Sequence, residues 1–298
     1  MFEILITMFI GLLAGGIVNL FADDLPFQRL PGLPTYPDGT PRPLAAWLGI
    51  TAFLLGKRSP GTSAPDESRS RPYYNEDGEI LFTPDQLSWR YPLAEILTIA
   101  FMLMTVKAAP NIVHMTLKQE ALYLFYMAVF ALVIVIDMEH KLILRVVIIP
   151  SVIVALLDAL FLNQVGPSFQ DAIFGALFGF GIFFLFYLGG YFFNIMMERI
   201  KGVELPTAFG YGDVMMITLS GSLLGLGNTF MSLFVTVFLG AGGALLYLLA
   251  RRIFAGGYSA FSAIPYGPYI VIGTMVMLLY EHPVQCYFWG YALSGAPC

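Results

Sequence analysis

The sequence predicts an all-α fold: a polytopic helical membrane protein of about eight transmembrane helices, with one cytoplasmic segment after the first span. Three observations predict it. Of 298 residues, 58% are hydrophobic and 12% charged, against about 45–50% and about 25% in soluble domains. Aromatic residues make up 15%, which together with the apolar excess excludes a disordered chain. Apolar runs of about the 20 residues that a helix needs to cross a hydrocarbon core recur along the chain. The charge balance, 15 Lys+Arg against 20 Asp+Glu, leaves no basic domain and excludes a nucleic-acid partner. Two cysteines are too few for a zinc ribbon or a disulfide scaffold, and no metal site is expected.

The first span is residues 2–22. Glu3 is its only early charge, so it lacks the positive start of a cleaved signal and reads as a retained helix. Residues 23–90 form the soluble segment, rich in Pro, Gly, Ser and charge. Within it, 44–56 is apolar but too short to span, and reads as lying in the interface or under the bundle. Residues 59–80 read as flexible. The transmembrane bundle, 91–280, holds spans at 91–109, 120–137, 146–163, 171–197, 213–227, 229–250 and 263–280. The 213–227 span is short and must tilt or be shielded by neighbours. Residues 281–298 form an outer tail, whose Tyr287, Phe288, Trp289 and Tyr291 suit a membrane interface. Gly11/Gly15, Gly221/Gly225 and the cluster Gly240, Gly242 and Gly243 read as points of close helix packing.

Basic residues orient the chain. With the N-terminus outside, the inner side holds Arg29, Arg42, Lys57, Arg58, Arg69, Arg71, Arg90, Lys141, Arg145, Arg199, Lys201, Arg251 and Arg252. That leaves only Lys107 and Lys118 outside. The short loops alone, which weigh most, divide six inside to two outside. Both termini then lie outside the membrane.

Two carboxylates fall where they are expensive. Asp137 ends the third span after an unbroken apolar run, and Asp213 opens the sixth within Phe209-Gly210-Tyr211-Gly212-Asp213. Ionisable groups at such positions usually mark function. The topology places both at the cytoplasmic edge, at one depth. Two carboxylates meeting in a partly apolar site share one proton, so that one acts as base on water while the other protonates a carbonyl. Gly210 and Gly212 permit a sharp turn and close approach of a peptide. The plain alternative for Asp213 is a helix cap; Asp137 lacks that account, because a carboxylate gains nothing from the dipole at a helix C-terminus. Asp171 reads as a cap. Asp158, inside the fourth span, calls for a polar partner. His140, three residues past Asp137, either tunes the site or is an exposed loop histidine; His114 and His282 carry no ligand spacing. Cys286 and Cys298 lie in the outer tail, where a disulfide is permitted.

These residues resemble the type IV prepilin peptidases, the GxGD aspartic proteases of the bacterial inner membrane. Five blocks carry the resemblance in the family's order: Gly15-Gly16-Ile17-Val18-Asn19-Leu20 with Leu25-Pro26; Arg90-Tyr91-Pro92-Leu93-Ala94-Glu95; Ile136-Asp137-Met138-Glu139-His140; Gly210-Tyr211-Gly212-Asp213-Val214; and Pro265-Tyr266-Gly267-Pro268-Tyr269, similar to the family's Pro-Phe-Gly-Pro element. The resemblance implies Asp137 and Asp213 as the catalytic pair, and cleavage of a short basic leader from prepilins or pseudopilins on the cytoplasmic side, after Gly and before a residue that is usually Phe. The acidic chain suits such a leader. The resemblance further implies N-methylation from S-adenosylmethionine in many members, with Asn19, Arg90, Glu95 and His140 as candidates for substrate or methyl-transfer roles. The peptidase step itself needs no cofactor.

The departures are specific. The family's two CxxC pairs are absent from the 23–90 segment, which excludes a zinc site of that kind and puts methylation in question. Met215 stands where a Lys is usual, Leu144-Arg145 replaces Pro-Asp, and Asp24 replaces an Arg. The chain reads as a divergent member. A rival of another class is a transporter or channel subunit using Asp137 and Asp213 as a proton or cation relay, which inverted repeats would favour; none is visible. A relative of the signal peptide peptidases would place Tyr before the first Asp, where this chain has Ile136. A structural subunit would have lost one Asp, and both are present.

Overall fold

The structure, a computed structural model, describes residues 2–61, 67–74, 80–82, 84, 86–112, 115–162, 165–201, 210–254 and 265–289. It is helical, as the composition requires. The helices are α1 (Phe2–Asp24), α2 (Gly49–Leu54), α3 (Arg90–Ala108), α4 (Leu117–His140), α5 (Arg145–Phe161), α6 (Phe169–Lys201), α7 (Tyr211–Phe254) and α8 (Gly267–Trp289). A two-stranded antiparallel ribbon, β1 (Tyr73–Tyr74) with β2 (Ile80–Phe82), is the one sheet among the described residues. Five helical stretches are long and apolar enough to cross a membrane by length and composition: Phe2–Phe27, Arg90–Asn111, Leu117–His140, Phe169–Ile200 and Tyr211–Leu249. The 17 residues of α5 reach only about 25 Å. The last helix runs on to Trp289, past the expected end at 280, with a break in helical geometry at Tyr280. Residues 62–66 and 75–79 of the stretch expected to be flexible, as well as His114, Tyr291 and Cys298, lie outside the described residues.

The chain divides into two compact units. The first comprises 1–107 and 120–136, the second 108–119 and 137–298. In the first unit, α1 and α3 approach at the predicted glycines. A methyl at Gly11 would lie 2.9 Å from the Ile99 backbone, and one at Gly15 would lie 2.6 Å from the Glu95 backbone. The segment after α1 packs on Tyr36, Ala46, Ala52, Leu87 and Tyr91, with Phe53 at its margin.

Charge organises this unit more than apolar packing does. Asp23, at the end of α1, is 5% exposed and pairs with Arg42 (3.3 Å), Arg71 (3.0 Å) and Arg90. The Tyr91 hydroxyl donates to the same carboxylate at 3.0 Å. Arg42 lies over the Tyr91 ring, 4.4 Å from its centroid, and donates through Nε to the Thr35 carbonyl at 2.8 Å. Asp24 takes Arg69 (2.8 Å) and the Gly32 N–H (3.1 Å). One aspartate facing three guanidinium groups thus ties α1, α3 and the intervening loop together.

In the second unit, α4 starts on a Thr116 N-cap. Thr116 Oγ1 accepts from the Gln119 N–H (3.4 Å) and its hydroxyl meets Gln119 Oε1 (3.1 Å). Lipid is as apolar as Leu, so burying apolar side chains gains little in a bilayer, and helices associate through close backbone contact and hydrogen bonds. α6 and α7 meet in this way, glycine against glycine, with Gly175 set against the Gly221 carbonyl. Ser220 Oγ and Thr274 Oγ1 join α7 to α8 at 2.6 Å.

The long α7 is two helices. At Gly225 the backbone takes φ +71°, ψ 179°, a region essentially restricted to glycine. Ser220 before the break and Ser232 with Thr236 after it face adjacent residues of α8, Thr274 and Gly273. Gly240 reaches the start of α8 at Tyr266. The two halves therefore lie along α8 in opposite directions, as a hairpin. The break lies inside the expected 213–227 span, at Gly225, and not in the expected gap at 228 before 229–250. Asp171 accounts for the turn: its Oδ1 accepts the Leu226 N–H (3.1 Å), the first of the second half. The sequence reading made Asp171 a cap of its own helix. That helix is capped instead by Ser168 Oγ on the Asp171 N–H at 3.2 Å, while the Asp171 carboxylate caps a different helix that the fold brings to it.

Candidate active site

The last turn of α4 presents Asp137, 5% exposed. The helix stops because Lys141 adopts the left-handed conformation (φ 52°), and its N–H closes on the Asp137 carbonyl at 2.9 Å. The Asp137 backbone is thereby pinned while its side chain projects past the helix end. Asp137 Oδ2 accepts the N–H of Gly267, the first residue of α8, at 3.1 Å. Only a glycine fits there, since a methyl at 267 would lie 2.6 Å from Asp137 Oδ2.

Asp213, partly exposed, sits in the first turn of α7. Its N–H donates to the Gly210 carbonyl (3.1 Å) and its Oδ2 accepts the Gly210 N–H (3.1 Å). This is the return half of a capping box. The glycine at 212 lets the turn close on the loop after α4, where a methyl would lie 2.8 Å from Ile143 Cβ. Ile143 also stands beside Gly267, 3.2 Å from a methyl placed there, so both glycines close on the same side chain. The two carboxylates do not hydrogen-bond to each other, yet the charge of Asp137 acts on Asp213. Each is anchored alike: Oδ2 takes one glycine N–H, and among the described residues Oδ1 takes no hydrogen bond. Two partly buried carboxylates with one oxygen held and one free are equipped to activate a water and protonate a carbonyl.

The structure thus gathers Asp137, Asp213, Gly210 and Gly212 in the second unit, and adds Gly267 and Ile143, which the sequence reading had not assigned to the site. Gly267 lies within the last resemblance block, so a signal for it existed. His140 pairs with Glu139 at 3.9 Å. Asp158 Oδ1 is buried and finds no hydrogen-bond partner, so the polar partner expected for it is not present among the described residues. Cys286 is disulfide-bonded, and Cys298 lies outside the described residues.

Asn19, Arg90 and Glu95 fall in the first unit. Glu95 is wholly buried and accepts from the Gly49 N–H, the Ile50 N–H (2.8 Å) and Asn19 Nδ2 (3.3 Å). Asn19 Nδ2 also donates to the Tyr91 carbonyl at 2.9 Å, and Arg90 is held by Asp23. These side chains bind the segment after α1 to α1 and α3. Asn19 Nδ2 and the Glu95 carboxylate are engaged within the fold, while Asn19 Oδ1 is buried and takes no hydrogen bond among the described residues. Among the described residues no group of His, Cys, Asp and Glu is arranged to hold a metal ion. Asp23, the centre of the cluster, was missed because a lone Asp after an apolar run has no spacing to betray three distant arginines.

A bundle of apolar helices with two such carboxylates at helix ends has the form of a membrane aspartic protease. The model of the type IV leader peptidase family matches residues 124–245, which include both carboxylates and the Gly225 hairpin. Over that stretch the chain is similar to the type IV leader peptidase family. Neither a curated protein nor a solved structure matches the chain.

Proposed function

We propose that this protein is a membrane aspartic endopeptidase that removes the leader of type IV prepilins or pseudopilins at the cytoplasmic face of the bacterial inner membrane. The observation that carries the reading is the matched anchoring of Asp137 and Asp213: one glycine N–H on Oδ2 of each and, among the described residues, no hydrogen bond on Oδ1. In this mechanism the pair holds a single proton between its two members. The ionised carboxylate takes a proton from water as the water oxygen attacks the scissile carbonyl carbon. The protonated partner gives its proton to the carbonyl oxygen. The tetrahedral diol then collapses: the partner carboxylate, now ionised, takes a proton from one hydroxyl as the carbonyl re-forms and the C–N bond breaks, and the leaving amine takes a proton from the carboxyl that had accepted the water's. No cofactor enters this sequence, and no methyl-transfer step is derived.

The topology belongs to the same proposal, with eight passes and both termini outside. Its physical support is the hairpin at Gly225. The 39 residues of Tyr211–Leu249 would reach about 58 Å as one helix, nearly twice a hydrocarbon core of about 30 Å. Reversal at Gly225 makes two passes of them.

The test is cleavage of a co-expressed prepilin by the wild type, Asp137→Asn and Asp213→Asn, with insertion of each verified in membranes. Loss of cleavage in both variants is expected, at least about 10³-fold, because neither half-reaction survives alone. Normal cleavage by either variant would refute the paired-carboxylate mechanism and bring the ion-relay reading forward. The mass of the product reports at the same time whether a methyl group is added.

A further inference from the structure

In the first unit, the chain between Arg42 and Lys57 carries no charge, and both ends of it are tied to Tyr36. Arg42 lies over the Tyr36 ring, 5.9 Å from its centroid, and the Tyr36 hydroxyl donates to the Lys57 carbonyl at 3.0 Å. The run therefore leaves the ionic cluster at Asp23 and comes back beside it, with Gly56 (φ +67°) at its return. What lies between follows α1 and α3. Gly49, the first residue of α2, sits against the Tyr91 backbone, where a methyl would lie 2.6 Å from the carbonyl carbon. That carbonyl takes the Asn19 amide at 2.9 Å, a level about 6 Å along α1 from Asp23. Leu48 reaches further, to 2.6 Å from a methyl placed at Gly16, about 10 Å from Asp23.

Both α1 and α3 are long and apolar enough to cross a membrane. Charge is costly in hydrocarbon, so the cluster at Asp23 marks the edge of the apolar layer, and Leu48 lies inside it. Irregular backbone is tolerated at such depth only where protein satisfies it. Glu95 does this, accepting the N–H groups of Gly49 and Ile50. The run has two faces. Ala46, Gly49 and Ala52, spaced three apart, are buried. Leu44, Trp47, Leu54 and Leu55 are exposed, Leu44 by 76% and Leu54 by 79%. Ile17, next to Gly16, and Leu93, between Tyr91 and Glu95, are exposed at the same level, so the lipid around α1 and α3 there also meets the run.

We propose that residues 44–55 dip into the bilayer as a re-entrant turn and take lipid acyl chains on the face of Leu44, Trp47, Leu54 and Leu55. The leaflet is the one at the Asp23 end of α1, and the exposed Lys57 stands at its headgroups. Part of the segment that reads as soluble from its composition is thus a membrane element, and Glu95 is the group that lets its backbone enter. The proposal does not depend on the peptidase reading.

The experiment uses the full chain in lipid nanodiscs, whose two faces are both open to a water-soluble reagent. Leu54→Cys and Lys57→Cys are each treated with a membrane-impermeant maleimide, with the unsubstituted chain as background. In a separate chain, Trp89→Phe with Trp289→Phe leaves Trp47 as the one tryptophan of three. Its emission is compared in discs of phosphatidylcholine with and without bromine on the acyl chains. Thermal unfolding near wild type verifies each fold, and the two readings use different substitutions, so either stands if the other chain misfolds. Leu54→Cys is expected to react at least about 10-fold more slowly than Lys57→Cys, and brominated lipid to remove about half of the Trp47 emission. Equal reaction of the two cysteines without quenching overturns the proposal and puts the run in water. Quenching with a fast Leu54→Cys overturns the depth and leaves the run on the headgroups. Protection of Leu54→Cys without quenching overturns it in favour of a second copy of the chain on this face. Neither measurement reads cleavage, so the failure of either reading is told apart from that of the other.

Discussion

Gly267 shows how much chemistry a missing side chain can carry. Its N–H is the donor that Asp137 Oδ2 receives, and its Cα stands where a methyl would meet the carboxylate at 2.6 Å. Gly267→Ala is expected to push the carboxyl away from its partner and lower kcat by about 100-fold, the scale of a misplacement near 1 Å. Thermal unfolding within a few degrees of wild type separates this from misfolding, and a wild-type kcat would show that the contact is not part of the site. Asp23 is the opposite case, a side chain with a structural office. Asp23→Ala leaves Arg42 buried, its guanidinium without its carboxylate, and is expected to cost about 3 kcal/mol. Thermal unfolding in detergent reads this directly. A shift below about 1 kcal/mol would mean that the arginines find other acceptors and that the cluster is not what holds the segment.

Among the elements, α7 is the informative one. Its composition runs apolar from end to end, and nothing in the apolar pattern alone dictates where it turns. The turn falls at Gly225 because only glycine accepts φ +71°, ψ 179°, and because Asp171 on α6 waits with an acceptor for the first N–H of the second half. Gly225→Ala is penalised twice, by the backbone region and by the collision of its methyl with the Asp171 carboxylate. A loss of about 2–3 kcal/mol is expected, measured as a lowered unfolding midpoint in detergent. An unaltered midpoint would mean that the hairpin turns elsewhere. Length and hydropathy gave the expectation of two spans, 213–227 and 229–250, and the break falls inside the first of them. The identity of the turn residue was not legible there, because its conformation depends on a contact from another helix.

At the scale of the whole molecule, the segment between α1 and α3 is folded without cysteine ligands, through Asp23, Asp24 and Glu95 with their arginine and backbone partners. Incubation with a strong chelator is therefore expected to leave both the unfolding midpoint and leader cleavage unchanged; a fall in either would reveal a metal that these contacts do not call for. The proposed topology is open to the same kind of check. A cysteine introduced at Lys141 is expected to react with a membrane-impermeant maleimide only after the cytoplasmic side is opened, and one at Lys118 before it. The reverse order would invert the orientation and place the carboxylates on the wrong face for a basic leader.

The sequence by itself determined the class: an apolar, helical, membrane-embedded chain, with Asp137 and Asp213 as the carboxylates out of place and five blocks in the order of the type IV leader peptidases. These are properties of composition and of local order, which survive in one dimension because a membrane span and a catalytic motif are both short and contiguous. Tertiary structure alone decided the rest. It set Gly267 under Asp137, Asp171 at the break of α7 and three arginines around Asp23. Each of these joins residues tens of positions apart or more, and the hydrogen bonds and charge pairs involved reach only about 3 Å. No spacing along the chain encodes such a contact until the helices have packed.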